Sequence, residues 1–406
     1  MKNIGIIAEY NPLHNGHAYQ LAQARREGKA ENIIAVMSGN FVQRGEPACV
    51  DKFTRTKWAL QSGADMVIAL PDVLSCSCAQ RFAEGGIKLL KATGLIDGIC
   101  FGSESGDIEN LKDIASSEPS HEVLTDSLAK GLSYPAAFSQ SLHISGPCAG
   151  PALPNDILGI EYLRAINKFA PDFKAFTVKR EGSGHNDTDI DLSDSDPAYA
   201  SASSIRMAFP RYGVSTFSKI KKYIPSFVYD DIWRLFGEGR FPAGLYELSD
   251  IILYLFRTMT AKSIAALADV SEGLENVFKK SANETGNVSE LLKNVKTKRY
   301  TMARLRRICV NALLGTTEEF QRLALNASDA LYIHVLGIKK EKLNLLSELK
   351  NSAVLPIVTQ FSDTAGLPEN ALKVMEHTRR ASLIWRLSNP GCKNVKDDFS
   401  HPFIII

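Results

Sequence analysis

The chain has 406 residues, of which 45% are hydrophobic and 23% are charged, and its formal net charge is +2. This length predicts two domains, because single hydrophobic cores seldom grow far beyond about 250 residues. The small net charge excludes a polycationic chain, so any nucleic-acid binding must come from a local basic patch.

Other bulk features favour a cytoplasmic protein. The seven cysteines are scattered and show no spacing typical of a zinc site, which favours reduced thiols. The first apolar stretch is interrupted by Glu9, so we expect no signal peptide. No uncharged apolar run approaches the ~20 residues that span a bilayer, so we expect no membrane association.

The first half of the chain alternates short apolar strands with amphipathic helices. The predicted strands are Ile4 to Ala8, Asn32 to Met37, Met66 to Leu70, Gly98 to Phe101 and Phe173 to Val178, and the predicted helices are 17–28, 52–62, 79–91 and 156–168. Nearly continuous apolar strands are typical of a parallel sheet covered on both faces. The alternation predicts an α/β fold with a Rossmann-like, doubly wound parallel sheet.

Helical periodicity dominates beyond Pro210 and Pro225, and one strand candidate, Leu331 to Leu336, stands among the later helices. We therefore predict one domain over residues 1–215. A mainly α-helical domain with a small β element is predicted over residues 216–406.

The segment IAEYNPLHNGHAYQL, residues 7–21, lies between the first predicted strand and the first predicted helix. Ligands of open parallel sheets bind beyond the carboxyl ends of the strands, and a helix N-terminus binds phosphate well. Gly16 would let phosphate approach the backbone. His14 and His17 could donate hydrogen bonds to oxygens that gain charge during transfer at an α-phosphate.

Two other interpretations of the histidine pair stay open. His14 and His17 could be two of three metal ligands, but no third ligand is evident nearby, and we predict no metal site. They could also cap a surface turn.

A second polar segment, Ser201 to Arg206, precedes a later predicted helix. Arg206 is a candidate triphosphate ligand, because a guanidinium pairs with phosphate through two hydrogen bonds. Ser203 could contact the nucleotide, or it could simply cap the helix.

A segment without acidic residues, from Leu291 to Thr317, carries a dense group of cations. We define the basic cluster as Lys293, Lys296, Lys298, Arg299, Arg304, Arg306 and Arg307. Such density indicates a phosphate-binding surface, on which Tyr300 could stack with a base. A solvated helix face with distant acidic partners is the alternative.

The order His14, Gly16, His17 resembles the H-x-G-H signature of the nucleotidylyltransferase superfamily, and SASSIR at residues 201–206 resembles its second signature. Longer segments are similar to the tRNA(Met) cytidine acetate ligase family. These are GIIAEYNPLHNGH, MSGNFVQRGEPACVDKFTRTKWAL, GADMVIALP, FGSESGD, LPNDILGIEYLRA, VKREGSGHND and KTKRYTMARLRR, in order from residue 5 to about residue 307.

The resemblance implies an ATP-dependent ligase. The enzyme would activate acetate as acetyl-adenylate, release pyrophosphate and transfer the acetyl group to N4 of the wobble cytidine of elongator tRNA(Met). Residues 1–215 would be a nucleotidylyltransferase-like ATP-binding catalytic domain, and residues 216–406 would bind the tRNA. Mg²⁺ is expected on the triphosphate of ATP, and no stable protein partner is expected.

The resemblance and the polar segments together assign site residues. His14 and His17 would be catalytic. The ATP-binding residues would be Ile7, Ala8, Glu9, Tyr10, Asn11, Pro12, Leu13, His14, Asn15, Gly16, His17, Ala18, Tyr19, Gln20, Gly102, Asn155, Arg180, Ser203 and Arg206. Asn155 could instead cap its helix, and Arg180 could be a solvated surface residue.

Two loops near the expected site have no assigned role beyond their position. Ser38, Gly39 and Asn40 follow the second predicted strand and form a candidate acetate pocket. The acidic residues within 185–197 predict a solvated loop beside the site.

Two competing functions stay open. One is a small-molecule adenylyltransferase that acts on a phosphorylated metabolite. The other is a tRNA-binding protein with a degenerate catalytic site, which the intact histidine pair argues against.

Overall fold

The computed structural model describes residues 1–118, 120–132, 134–141, 153–180, 199–389, 391, 399, 401 and 403–406. The strands are β1 (Asn3–Ala8), β2 (Asn32–Ser38), β3 (Phe41–Val42), β4 (Glu46–Pro47), β5 (Met66–Leu70), β6 (Gly98–Ser103), β7 (Lys174–Lys179), β8 (Ile333–Ile338), β9 (Ile357–Val358) and β10 (Ile404–Ile405). No helix in these described ranges is long and apolar enough to cross a membrane.

The helices of the first half are α1 (Asn15–Glu27), α2 (Lys52–Gln61), α3 (Asp72–Ser75), α4 (Ala79–Ala92), α5 (Ile108–Ser116), α6 (His121–Ala129), α7 (Tyr134–Ser141), α8 (Pro154–Phe169) and α9 (Ala202–Tyr212). The later helices are α10 (Thr216–Ile220), α11 (Ser226–Gly237), α12 (Ser249–Thr258), α13 (Ala261–Ala265), α14 (Leu274–Glu284), α15 (Val288–Val295), α16 (Met302–Leu314), α17 (Glu318–Asn326), α18 (Asn344–Ser352) and α19 (Glu369–Leu387).

One large sheet organises the chain, with the strand order β7-β6-β1-β2-β5-β8-β10 and with β9 paired to β8. Strands β1, β2, β5, β6 and β7 run parallel. The chain adds β2 and β5 on one side of β1 and then β6 and β7 on the other side. This reversal opens a crevice at the carboxyl ends of β1 and β6, where such sheets bind ligands. The predicted Rossmann-like doubly wound sheet is therefore confirmed.

The apolar strands are continuous because both faces of the sheet are covered. All seven residues of β2 are buried. Ile33 and Ala35 pack in one core with residues of α1 and α2, whereas Ile34 and Val36 pack in a second core with residues of α4 and α8. The same alternation explains why a strand of this sheet reads as one uninterrupted apolar run.

The strand predicted at Leu331 to Leu336 forms as β8, but it joins the main sheet antiparallel to β5. It therefore does not form a separate small β element within a second domain. All six residues of β8 are buried, and such a run needs cover on both faces and on both edges. Strands β9 and β10 pair with its outer edge.

A third core lies among the later helices. Phe256, Phe278, Leu291 and Ile308 are fully buried there and belong to α12, α14, α15 and α16. Helices α12, α14, α15 and α16 thus share a core, to which Ala381 and Trp385 of α19 also contribute, while β8 and β10 join the large sheet. The domain boundary at residue 215 stays a prediction.

Gly337 in β8 allows a test of the packing of β10 against the outer edge of β8. A Cβ on Gly337 would lie 2.8 Å from both Cβ and the carbonyl oxygen of Ile404 and 3.0 Å from Cγ2 of Thr56. We expect Gly337→Ala to lower the free energy of unfolding by about 1–3 kcal/mol through overpacking, measured by urea denaturation. Gly366→Ala is the matched control, since nothing lies within 4 Å of its added Cβ. Equal stability of the two variants would contradict this packing of β10 on β8.

Candidate active site

The turn between β1 and α1 directs the start of α1 towards the crevice. Tyr10 is fully buried and has a φ of 49°, which a bulky residue adopts only when its surroundings enforce it. His14 then serves as the N-cap of α1 with extended backbone angles. The unpaired N–H groups and the partial positive charge of this helix end therefore lie at the carboxyl end of β1.

His14 and His17 cap α1 reciprocally. The backbone N–H of Gly16 donates to Nδ1 of His14 at 3.1 Å, and the backbone N–H of His14 donates to Nδ1 of His17 at 3.3 Å. The two rings stack with their centroids 3.7 Å apart. Because each Nδ1 accepts a hydrogen bond, each neutral ring carries its proton on Nε2. The pair thus offers two Nε2–H donors to a ligand.

Both imidazoles are neutral at pH 7. Burial, with a smaller effect of the Arg180 charge, lowers the pKa of His17 to about 3. Burial also lowers the pKa of His14 well below its ordinary value, and the proximity of His17, Arg180 and Arg206 adds to this effect. The rings therefore act as hydrogen-bond donors rather than as cations.

Gly16 is required by the position of the His14 ring. A Cβ at residue 16 would lie 3.0 Å from Cε1 and 3.1 Å from Nδ1 of His14. A side chain there would crowd the ring and disturb the hydrogen bond from the Gly16 N–H. The glycine of the H-x-G-H signature thus serves the cap as well as the approach of a ligand.

A cavity opens in front of the histidine pair. It is lined by His14, Gly16, His17, Tyr19, Gln20, Gly102, Val178, Lys179, Arg180, Tyr199 and Ala200. A Cβ at Gly102 would lie 3.6 Å from Cγ of Arg180 and 3.9 Å from the carbonyl oxygen of Val178, which are ordinary contact distances, so there is space beside the end of β6 at this glycine. The structure therefore brings together the H-x-G-H segment, Gly102 and Arg180, as the sequence predicts.

Some lining residues are absent from the predicted set. Val178 and Lys179 lie at the end of β7, so their proximity to Arg180 could have suggested them. Tyr199 and Ala200 precede α9, and the rings of Tyr199 and Tyr19 meet edge to face at 5.9 Å. No sequence pattern marks these two residues.

Arg206 lies behind the histidine turn. It donates to the carbonyl oxygen of Asn11 at 2.6 Å and to Oε2 of Glu46 at 3.1 Å. The cap of α9 is Ser201, whose hydroxyl accepts from the N–H of Ser204, so Ser203 is not the helix cap. Ser203 instead accepts a long hydrogen bond of 3.5 Å from Arg206.

Asn155 does not line the cavity. Its Nδ2 donates to Oε1 of Glu104 at 2.6 Å, and the backbone N–H groups of Asn155 and Asp156 donate to the same carboxylate. Glu104 thus occupies the N-terminus of α8, and Asn155 is not the cap of that helix. A nucleotide contact by the Asn155 amide would require this hydrogen bond to exchange.

The three residues of the candidate acetate pocket differ in what they offer. Asn40 donates to the Ser382 hydroxyl at 2.8 Å, and its own oxygen accepts from the N–H of Lys52, so its amide holds the fold. Gly39 packs against the carboxylate of Asp72, which a Cβ would approach to 2.5 Å. Ser38 is buried, and its hydroxyl has no hydrogen-bond partner among the described residues.

The basic cluster separates into exposed lysines and paired arginines. Lys293, Lys296 and Lys298 are exposed at the end of α15 and in the segment after it. Arg299 pairs with Glu272 at 2.8 Å, and Arg306 pairs with Glu46 at 2.5 Å.

Two further arginines of the cluster bind the loop before α14. Arg304 donates to the carbonyl oxygen of Asp269 and to the Ser271 hydroxyl. Arg307 is only 7% exposed and donates to both carboxylate oxygens of Asp269, at 2.7 and 3.1 Å.

These contacts correct two expectations from the sequence. Arg307 does not face outward, because its charge is used inside the protein. Tyr300 is also buried, and its hydroxyl donates to Glu272, so its ring is not presented for stacking on a base. The acidic partners Glu272 and Asp269 lie more than twenty residues away in sequence, and Glu46 lies on β4, which is why the segment itself does not reveal them.

The described residues contain no group of three His, Cys, Asp or Glu side chains that could hold a metal ion. The acidic loop predicted near the site, residues 185–197, lies outside the described residues.

A doubly wound parallel sheet with an H-x-G-H helix start at its point of reversal defines a nucleotidyl transferase type of site. A model of the HIGH Nucleotidyl Transferase family matches residues 1–398. The chain therefore belongs to this family, and within it to the tRNA(Met) cytidine acetate ligase family of enzymes, as the comparisons with individual relatives show.

The relatives align with the chain over most or all of its length. The tRNA(Met) cytidine acetate ligase of Caldanaerobacter subterraneus subsp. tengcongensis is 38% identical over 413 residues, which cover 100% of both chains. That of Bacillus licheniformis is 36% identical over 372 residues, covering 89% of this chain and 87% of the relative. The crystal structure of Thermotoga maritima TmcAL bound with alpha-thio ATP matches with a TM-score of 0.89 and 32% identity, covering 100% of both chains. The family resemblance seen in the sequence is thus confirmed.

The low pKa of His17 predicts how stability depends on pH. The unfolded chain binds a proton at His17 below about pH 6.5, and the folded protein does so only near pH 3, so stability falls as the pH decreases between these values. From pH 6 to pH 5, His17→Asn should lose about 1 kcal/mol less unfolding free energy than the wild type, measured by urea denaturation. His121→Asn, at an exposed histidine, is the control. Parallel pH profiles of wild type and His17→Asn would contradict the prediction.

Proposed function

We propose that this protein is an ATP-dependent tRNA cytidine acetate ligase that forms acetyl-adenylate and acetylates N4 of the wobble cytidine of elongator tRNA(Met). The observation that carries the proposal is the pair of neutral, tautomer-defined imidazoles at the start of α1, in the crevice of the sheet. The names of the relatives indicate acetate and tRNA as substrates, and the relative bound with alpha-thio ATP indicates ATP.

In the first step, an acetate oxygen attacks the α-phosphorus of ATP, and the bond to the pyrophosphate oxygen breaks. The Nε2–H groups of His14 and His17 would donate to α-phosphate oxygens that gain charge in the transition state. The partial positive charge at the N-terminus of α1 acts in the same direction. Arg180, and Arg206 after exchange of its present contacts, would hold the triphosphate.

In the second step, N4 of the cytidine attacks the carbonyl carbon of acetyl-adenylate, and AMP leaves. Placement of the two reactants accounts for the protein's part in this step. The cytidine amine releases one proton as the new C–N bond forms.

Ser38 is the residue of the proposed acetate pocket that has an unused polar atom. Ser38 is the last residue of β2, at the same sheet edge as the histidine pair, and its hydroxyl is buried without a hydrogen-bond partner among the described residues. A buried hydroxyl without a hydrogen-bond partner destabilises the protein, and a ligand that accepts its hydrogen bond removes this cost. An acetate oxygen would supply the missing acceptor.

Mg²⁺ is proposed only as a companion of the triphosphate. The described residues do not provide a cluster of three potential ligands, which fits the usual binding of Mg²⁺ through phosphates, waters and few carboxylates. Its chemistry would be to neutralise charge on the leaving pyrophosphate.

The tRNA would contact the exposed lysines of the basic cluster, Lys293, Lys296 and Lys298. Within the described part of the chain these three lysines form no ion pair, unlike Arg299, Arg306 and Arg307, and lysine binds phosphate as a point charge. The alternative of a merely solvated face predicts no loss of tRNA affinity when these charges are reversed.

Substitution of His17 tests the chemical step. Asn keeps an acceptor near the Nδ1 position for the His14 N–H but has no donor at the Nε2 position, whereas Gln places an amide near Nε2. We expect His17→Asn to lower kcat about 10²–10³-fold and His17→Gln to recover part of that loss. The assay supplies ATP, labelled acetate and total tRNA, and detects N4-acetylcytidine by mass spectrometry after digestion, with His121→Asn as the control.

The same assay separates the competing functions. Labelled acetylcytidine in the wild type that is lost in His17→Asn supports the ligase. Pyrophosphate release with a phosphorylated metabolite as acceptor, and no RNA product, would support a small-molecule adenylyltransferase instead. Binding of tRNA without any turnover of ATP would support a degenerate site.

Reversal of the exposed lysines tests the RNA surface. The triple variant Lys293→Glu, Lys296→Glu, Lys298→Glu should weaken tRNA binding at least about tenfold near 0.15 M salt and flatten its salt dependence, because phosphate contacts release counterions. The dissociation constant of ATP should stay unchanged. Filter binding over a range of salt concentrations measures both tRNA effects.

The control reverses three exposed lysines at the opposite edge of the sheet, of which Lys2 pairs with Glu348. Lys2, Lys29 and Lys174 lie at or before the amino ends of β1, β2 and β7. If Lys2→Glu, Lys29→Glu, Lys174→Glu weakens tRNA binding equally, the effect is one of overall charge, and the proposed surface is wrong.

A further inference from the structure

The short hairpin β3–β4 connects the nucleotide site to helix α16. On one side, the N–H of Gln43 donates to Oε1 of Glu9, directly after β1, at 2.8 Å. On the other side, the carbonyl oxygen of Gln43 accepts from Nη1 of Arg307 at 3.3 Å. A single residue of the hairpin therefore contacts both regions.

The tip of the hairpin fits closely against the backbone of α16. Gly45 has a φ of 74°, and a Cβ there would lie 2.3 Å from the nitrogen of Arg307 and 2.5 Å from the carbonyl carbon of Arg306. Only glycine combines this left-handed conformation with such an approach. The tip of the hairpin and α16 therefore pack backbone against backbone at this point.

Glu46, on the second strand of the hairpin, is shared by two arginines. Its Oε2 accepts from Arg206 at 3.1 Å, and its Oε1 pairs with Arg306 at 2.5 Å. The three side chains are 21%, 17% and 35% exposed, respectively, so salt screens this triad less than an open surface pair. Burial alone would raise the pKa of Glu46, but the charges of Arg206 and Arg306 lower it, so the carboxylate is ionised at pH 7.

We infer that Glu46 couples the two substrate sites by competing with ATP phosphate for Arg206 and with tRNA phosphate for Arg306. This inference rests on the proposed function, because it requires that Arg206 binds the triphosphate. It also requires that a tRNA bound at Lys293, Lys296 and Lys298 reaches Arg306 on α16. When a triphosphate draws Arg206 away, Glu46 keeps its ion pair with Arg306, beside the charge of Arg44, and competes more strongly with RNA for Arg306. When pyrophosphate has left, Arg206 returns to Glu46, and Arg306 becomes available to the tRNA.

The sign of the coupling follows from this exchange. Each ligand weakens the binding of the other, and by the same factor in both directions, as linkage requires. Loss of the carboxylate removes the competition at both ends. Glu46→Gln should therefore bind each ligand alone at least as tightly as the wild type, an outcome that mere damage to the fold would not produce.

The test measures the dissociation constant of tRNA by filter binding, with and without saturating α,β-methylene-ATP and without acetate. We expect the analogue to weaken tRNA binding by the wild type about fivefold or more, and to change binding by Glu46→Gln less than about twofold. The dissociation constant of the analogue with and without tRNA should give the same factors.

Glu348→Gln is the matched control. Glu348 pairs with Lys2 at the amino end of β1, the edge of the sheet opposite the site, so this variant should keep the wild-type coupling. Measurements at about 0.15 and about 0.3 M salt separate the triad from general repulsion between two polyanions, which salt screens more strongly.

The outcomes separate a failure of the proposed function from a failure of the role given to Glu46. A wild type that binds no tRNA and makes no acetylcytidine overturns the proposed function. A wild type that makes acetylcytidine but shows no coupling, or equal coupling in Glu46→Gln, overturns only the role of Glu46. If Glu46→Gln does not fold, Arg306→Gln opens the triad from the other end, and retained coupling in that variant overturns the inference.

Discussion

The reciprocal cap formed by His14 and His17 is the interaction on which the site depends. One nitrogen of each ring accepts a backbone hydrogen bond at the start of α1, which decides that the other nitrogen carries the proton. The same rings would be ambiguous donors if they were free in solution. A structural requirement of α1 thus prepares the chemistry before any substrate binds.

The arrangement of the sheet follows from the pattern of its strands. Continuous apolar runs, short connections and amphipathic helices predicted the parallel strands and their covering helices within a few residues. The position of β8 in the sheet was not predictable, because an apolar run in the second half of the chain does not indicate which sheet edge it will pair with. That choice depends on β5, whose outer edge lies far away in sequence.

The candidate site divides in the same way. Residues within one segment, such as His14 and Gly16, could be predicted from spacing, since a strand end and a helix start fix their positions. Contacts between distant segments could not. Asn155 meets Glu104, and Arg307 meets Asp269, through pairings that appear only when the helices pack. An arginine that the sequence suggests for phosphate binding can instead be paired with a carboxylate inside the protein.

The antiparallel pairing of β5 with β8 has a consequence for synthesis on the ribosome. β5 ends at Leu70, and β8 begins at Ile333. The apolar outer edge of β5 therefore has no partner strand while the intervening chain is synthesised. At about 5–20 residues per second this interval lasts roughly 15–50 s. During that time the nascent protein exposes a strand edge that invites mispairing, and its sheet closes only late in translation.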